Sequence, residues 1–304
     1  MNVERLRALH SVSVHGSVAA AAEALHVTPS GVSQQLTKLE RETGHRLLEP
    51  HGRGVRLTRA GHVLAEHAAR ILAQLSAAKA ALDGLREDVV GPVRLGSFAT
   101  AGRSLLPAAL AVLHERHPGL SPTLREGEVD VLLPAVVQGD LDVAVIESWD
   151  TLPTPLPASV SHLPLSSDAV DVALPAGHPL ARRRSVDLAG LGGMRWAAWT
   201  AGGTCERQLV QTLRGHDVDP VIACNTADYP TQLAFVAAGL TAALIPRLGR
   251  DPVPDGVRLV ATRPVIRQTV HAVWHDGASR PAVEACVEVL RSVAERLSDE
   301  APTS

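Results

Sequence analysis

Hydrophobic side chains make up 45% of the 304 residues, enough for two domains with ample cores and too many for a disordered chain. The net charge of −3 excludes a body coated in basic side chains, but charge is spread unevenly. Residues 1–90 carry 11 Lys/Arg against 9 Asp/Glu and the remainder 18 against 23, as suits a DNA-binding module joined to an acidic body.

Asn2 to Val14 is predicted as a first helix, with Leu6, Leu9 and Val12 as its apolar stripe and Gly16 as its stop. From Ser17 to Gly44 the chain reads as two short helices with a tight joint at His26 and Val27. Ser17 caps the first, whose VAAAAEAL run favours helix, and Thr28 with Pro29 starts the second. In that second helix Val32, Leu36 and Leu39 share one face, while Ser30, Ser33, Gln34, Thr37, Lys38 and Arg41 share the other. A short helix with a dry back and a hydrogen-bonding front is what a helix-turn-helix places in the DNA major groove. An ordinary helical hairpin with a solvated face is the alternative on this stretch alone.

Leu47 and Leu48 open an apolar segment, His51-Gly52-Arg53-Gly54 forms a tip, and Val55 and Leu57 alternate with Arg56 and Thr58 as in a strand. That is a wing beside the second helix, with Arg53 at its tip placed to reach phosphate or an adjacent minor groove; a surface hairpin whose Arg meets only water is the alternative. A long helix follows. Leu64, Ala68, Ile71, Leu75, Ala78, Leu82 and Leu85 keep a heptad spacing, the mark of a helix that pairs with a copy of itself. One face of a domain helix is the alternative. Asp83-Gly84 and the run from Asp88 to Pro92 end it.

The motifs SVAAAAEAL, PSGVSQQLTKLE and VRLTRAG, in this order over residues 2 to about 88, resemble the LysR-type transcriptional regulators. Two positions depart from the commoner pattern. Leu48-Glu49-Pro50 stands where Phe and, two residues on, Arg are usual, and Gln34 stands where many members have Arg. Base contact then rests more on Gln34, whose amide can pair with adenine through two hydrogen bonds. From the resemblance and the surface pattern, the expected DNA-binding set is Ser17, Thr28, Pro29, Ser30, Ser33, Gln34, Thr37, Lys38, Arg53 and Arg56.

After Pro92 strands and helices alternate. Val93 to Gly96 is a strand, Ser97 to Gly102 a loop, Ser104 to His117 a helix, Thr123 to Arg125 a strand, Val131 to Gln138 a helix and Leu141 to Ile146 a buried strand. This is a βαβαβ unit on a parallel sheet, and a second unit opens near His162. GDLDVAVI, LPAGHPLA and VAAGLTAALIP continue the family resemblance. They imply a periplasmic-binding-protein-like α/β effector domain of two subdomains joined by two crossover strands. The expected organisation is an N-terminal all-α winged helix-turn-helix over 1–60, a linker and dimerisation helix over 61–90, and an effector domain over 91–300. Within it, subdomain I takes about 91–160 and 265–300, and subdomain II about 161–264.

The cleft between the subdomains would be lined by strand ends and helix starts, where unpaired N–H groups attract polar ligands. By position these are Ser97, Ala99, Thr100, Ile146 and Glu147 in the first subdomain, and Thr200, Gly203, Thr204, Thr226 and Asp228 in the second. At any single position a helix cap or turn role is an equal alternative. Glu147 and Asp228 point to a cationic or hydroxylated ligand.

Cys205, Cys224 and Cys286, odd in number and without CxxC or CxxH spacing, read as free thiols in a reducing compartment. No histidine has metal-ligand spacing, AGGT lacks the length and lysine of a phosphate loop, and Cys205 has no histidine motif beside it. No metal, cofactor or catalytic activity is therefore expected. MNVERLRALH lacks a signal-peptide core, and Leu233 to Ile245 is too short to span a bilayer. The expectation is a cytoplasmic regulator that binds duplex DNA and a small-molecule effector, with no membrane contact. The resemblance implies a homotetramer built from homodimers. The rivals are a constitutive DNA binder, and a cytosolic solute-binding or catalytic protein with a helical arm.

Overall fold

The computed structural model describes residues 1–51, 54–83, 89–278 and 280–300. They form two compact units, 1–82 and 83–304.

The first unit begins with α1 (Val3–His15), α2 (Val18–Ala24) and α3 (Pro29–Thr43). Each is started by a side chain that satisfies a free N–H. Asn2 accepts from the Glu4 amide, Ser17 from Ala20 and Thr28 from Gly31. Gly16 and Gly44 end α1 and α3 at positive φ, where a Cβ would be strained. A hairpin of β1 (Leu48–His51) and β2 (Gly54–Leu57) follows, so the first unit is not purely helical. The long α4 (Arg59–Asp83) closes it.

Two sequence motifs acquire physical reasons here. Glu40 Oε1 accepts from the amides of Leu47 (2.8 Å) and Leu48 (3.3 Å), tying α3 to the start of the hairpin. Thr58 donates its amide to Leu47 O and its hydroxyl to Arg46 O, then accepts from the Gly61 amide at the start of α4. A Cβ on Gly61 would enter the van der Waals shell of the Leu47 carbonyl, so only glycine lets α4 lie this close. Leu6, Leu9, Val12, Leu36, Leu39 and Leu47 fill the core beneath, each burial contributing roughly 1.5–3 kcal/mol.

In the second unit, β3 (Gly91–Ser97), α5 (Ala99–Ser104), α6 (Leu106–Arg116), β4 (Leu120–Glu126), α7 (Val129–Val137) and β5 (Val143–Trp149) make the expected parallel arrangement, with β3 between β4 and β5. The segment expected as a loop after Ser97 is helical over Ala99–Ser104. Gly102 and the lack of an apolar stripe hid it, because the helix is held by its surroundings rather than by a periodic face.

The sheet then becomes mixed. β6 (Val160–Pro175) and β11 (Val257–His275) are two long antiparallel strands, β11 lying between β5 and β6, with β10 (Ala243–Pro246) on the far edge of β6. Their register shifts between Ala261 and Ile266. β7 (Ser185–Asp187) adds to β11, and β8 (Arg195–Ala198) pairs with β9 (Val221–Asn225). Helices α8 (Thr204–Arg214) and α9 (Tyr229–Ala237) belong to this second part, and α10 (Pro281–Glu300) packs on the first. Asp142 fastens that first part. It accepts from Arg94 (2.9 Å) and pairs with Arg280 (3.2 Å). Burial works against its charge, but these guanidiniums hold the carboxyl below the ordinary aspartate range.

Candidate nucleic-acid interface and ligand cleft

On α3 the buried Val32, Leu36 and Leu39 face the core, while Ser30, Ser33, Gln34, Thr37, Lys38 and Arg41 are exposed. Their hydrogen-bonding capacities differ. Ser33 donates its hydroxyl proton to Pro29 O (3.0 Å), and Thr37 donates to Ser33 O (2.9 Å), so both offer lone pairs outward rather than protons. Gln34 and Lys38, one helical turn apart, have no partner among the described residues. With Arg41 further along the helix, they are outward donors of this face. Ser17, Thr28 and Pro29 serve the helix starts. Thr28 Oγ1 accepts from Gly31 N and lies 3.0 Å from Ser30 Oγ.

On the hairpin, Arg56 Nε meets Glu49 Oε1 at 2.6 Å, both side chains well exposed. An exposed pair of this kind contributes roughly 0–1 kcal/mol and yields readily to a phosphate. Arg53 and Leu85 lie outside the described residues.

The heptad seam of α4 divides. Ala68 is fully buried in the core of its own unit, with Leu64 packed against that core. Ile71, Leu75, Ala78 and Leu82 are exposed, Leu75 by 46% and Leu82 by 68%. Beside the upper part of α4 lies an open groove of about 770 Å³, lined among others by Met1, Thr43, His45, Leu47 and Val63.

In the second unit, carboxylates of α7 reach the start of α8. The amide of Thr204, at the start of α8, donates to Asp130 Oδ2 of α7 (2.7 Å), and Arg207 lies 3.7 Å from Asp130. A Cβ on Gly203 would lie 2.7 Å from Glu128 Oε2. The first free N–H of α8 is thus answered from within the chain. Glu147, at the end of β5, is 3% exposed. Cys205 Sγ donates to its Oε1 (3.1 Å), and its Oε2 has no partner. Burial raises this carboxyl to about 7; the thiol hydrogen bond opposes the rise and the charge of Glu128 adds to it. Burial, with Glu147 alongside, drives the Cys205 thiol far above its ordinary range.

Ser97 and Thr100 are buried near the same strand ends, and Ala99 is half-buried. Ser97 donates to Phe98 O. Ile146 instead packs among Val129, Leu132, Val160 and Val273, because neighbouring strand residues face opposite ways. Thr226 donates to Asp228 O, and Asp228 caps α9 by accepting from Thr231 N (2.8 Å). Thr200 is exposed in the turn before α8, its carbonyl accepting from Gly203 N. Sequence reasoning missed Glu128 and Asp130, whose signal was two carboxylates at a helix start. It also missed Tyr229, Gln232 and Gln268, lone polar groups in apolar runs.

Residues 3–62 match the bacterial regulatory helix-turn-helix protein, lysR family, and residues 86–295 match the LysR substrate binding domain. The chain is 29% identical over 296 residues to the DNA-binding transcriptional dual regulator OxyR of Escherichia coli (strain K12), spanning 96% of this chain and 95% of that one. A probable RuBisCO transcriptional regulator of Chlorokybus atmophyticus is 27% identical over 216 residues, 71% of this chain and 68% of that one. Among solved structures, full-length OxyR from Pseudomonas aeruginosa has a TM-score of 0.66 at 24% identity, covering 96% of this chain and 95% of that one. Full-length CbnR complexed with its target DNA has a TM-score of 0.53 at 22% identity, covering 97% and 100%. The two structures speak for the fold.

Proposed function

The chain belongs to the LysR family of DNA-binding transcriptional regulators, which pair a helix-turn-helix with a substrate-binding domain, and from that premise we propose how its own residues divide the work. The front of α3 enters the major groove, with Gln34 and Lys38 donating to base edges. Ser33 and Thr37 accept there, and Thr28, Ser30, Arg53 and Arg56 hold the phosphates. What carries this reading is the presence of outward donors, Gln34 and Lys38 among them, on a helix whose back is sealed by Val32, Leu36 and Leu39. Two copies pair through the exposed stretch of α4 from Ile71 to Leu82, and pairs join into a homotetramer. A small molecule in the cleft near Glu147 biases the subdomain arrangement, and through it the spacing of the DNA-binding modules. The protein acts in the cytoplasm and catalyses no reaction. Among the described residues, no helix is long and apolar enough to cross a membrane.

Several relatives are named hydrogen peroxide-inducible genes activators, which raises a second reading with Cys205 as a peroxide-sensing thiol. Peroxide reacts with thiolates, and a buried thiol bonded to a carboxylate resists ionisation. We therefore favour a ligand held without covalent chemistry.

Footprinting the purified full-length protein on duplexes from upstream of its own gene, across a salt series, tests the proposal. Protection of two half-sites that weakens steeply with salt is expected. Absence of protection at low ionic strength would refute it.

A further inference from the structure

The chemical class of the ligand follows from what the cleft leaves unanswered, given the reading of that cleft as the effector site. Glu147 Oε2 is buried and lacks any hydrogen-bond partner. A buried carboxylate oxygen without a donor is costly and calls for one. Tyr229, 1% exposed at the start of α9, packs in one buried cluster with Cys205 and Trp199, and its hydroxyl is approached by the Trp199 side chain but has no partner at full hydrogen-bond geometry. Its ring is held edge-on against Trp199, with centroids 4.8 Å apart. Gln268 on β11 faces the same side of the sheet as Glu147. It pairs with Trp149, and its neighbour but one, Val270, pairs with Glu147. Its buried Nε2 is also unpartnered.

The charges around this point share one sign. Glu128 and Asp130 stand at the start of α8, and Asp168 on β6 pairs in register with Gln268. Two guanidiniums of the neighbouring elements are engaged elsewhere. Arg247 bonds to Asp171 (3.3 Å), and Arg207 faces Asp130 and the Gly202 carbonyl. The N-terminus of α8, where an anion would otherwise settle, already receives Asp130. A ligand carboxylate entering here would displace a resident carboxylate and meet a second at Glu147.

We propose that the cleft takes a small molecule through a protonated amine, its N–H groups donating to Glu147 Oε2 and to the Tyr229 hydroxyl. The neutral remainder of the ligand meets the side-chain amide of Gln268. Cys205 positions Glu147 by fixing Oε1, which leaves Oε2 turned to the ligand.

The test measures the melting temperature and tryptophan fluorescence of the full-length protein with ethanolammonium, putrescine, acetate, succinate or ethylene glycol added. A saturable rise with the ammonium compounds, and none with the carboxylates, is expected. Glu147→Gln keeps shape and removes the charge, and should weaken ammonium binding about tenfold or more, the worth of a charge-assisted hydrogen bond. Tyr229→Phe should weaken it less, and serves as the readout should the first variant fold poorly. Equal ammonium shifts in both variants and the parent would overturn the proposal, as would no saturable shift with any ammonium compound. Saturable binding of a carboxylate that Glu147→Gln tightens would overturn the amine class yet leave the cleft as an effector site. Loss of operator protection in footprinting is a separate failure, of the regulator reading itself.

Discussion

Cys205 and Glu147 meet across 3.1 Å, thiol to carboxylate, and that contact joins the start of α8 to the end of β5. A thiol is a weak donor. It fixes one oxygen of the carboxylate without compensating its burial, so the pair leaves a poised group where α8 meets β5. A stronger donor there would satisfy Glu147 and remove the demand that a ligand can meet.

The first expectation concerns pH. Burial moves Glu147 from the 4.5 of a free glutamate up to about 7. A raised carboxyl contributes stability that is full below its unfolded value and lost as pH rises through the folded one. The parent should therefore lose stability relative to Glu147→Gln between about pH 5 and about pH 8, by up to about 3 kcal/mol. Urea melts of both proteins at the two pH values measure this; parallel curves would contradict it.

Thiol reactivity provides a second. Cys205 and Cys286 are buried, and burial raises both thiols, whereas Cys224 is half-buried. Alkylation followed by peptide mapping should label Cys224 first and the other two only on unfolding. Fast labelling of Cys205 in the native protein would instead favour the peroxide reading.

Gly61 should tolerate no larger side chain. Gly61→Val drives side-chain atoms into the Leu47 carbonyl and should destabilise the first unit by on the order of 2–4 kcal/mol. Chemical denaturation would register the loss; a neutral result would mean that α4 can shift away from the hairpin at little cost.

Gln34 and Lys38 should differ in kind from Arg56. Gln34→Ala should relax preference at one base position by ~1–3 kcal/mol, while Arg56→Ala should weaken all duplexes alike. Binding measured against a set of single-base operator variants separates the two outcomes. A uniform effect of Gln34→Ala would place that side chain on phosphate.

Leu75, 46% exposed on α4, sits in the middle of the proposed dimer seam. Leu75→Glu should break the α4 pairing and reduce the size of the assembly without unfolding the core, since the side chain contributes nothing to it. Sedimentation at micromolar concentration reads this directly, and an unchanged assembly would move the dimer contact elsewhere.

Much of the first unit was legible in the residues alone. Caps, the spacing of Val32, Leu36 and Leu39, and glycines at helix ends depend only on neighbours within a turn or two, and such contacts repeat whatever the rest of the chain does. The alternation of strands and helices after Pro92 was legible for the same reason. Tertiary structure alone decided the rest. It showed that Ala68 is spent on its own core, that a helix forms over Ala99–Ser104 without a stripe, and that the sheet turns antiparallel where β11 inserts beside β5. It also brought Glu147, Cys205, Tyr229 and Gln268 towards one place from β5, α8, α9 and β11. No periodicity encodes that meeting, because it is fixed by which strands pair and which helices cross, and those choices depend on the packing of the whole unit.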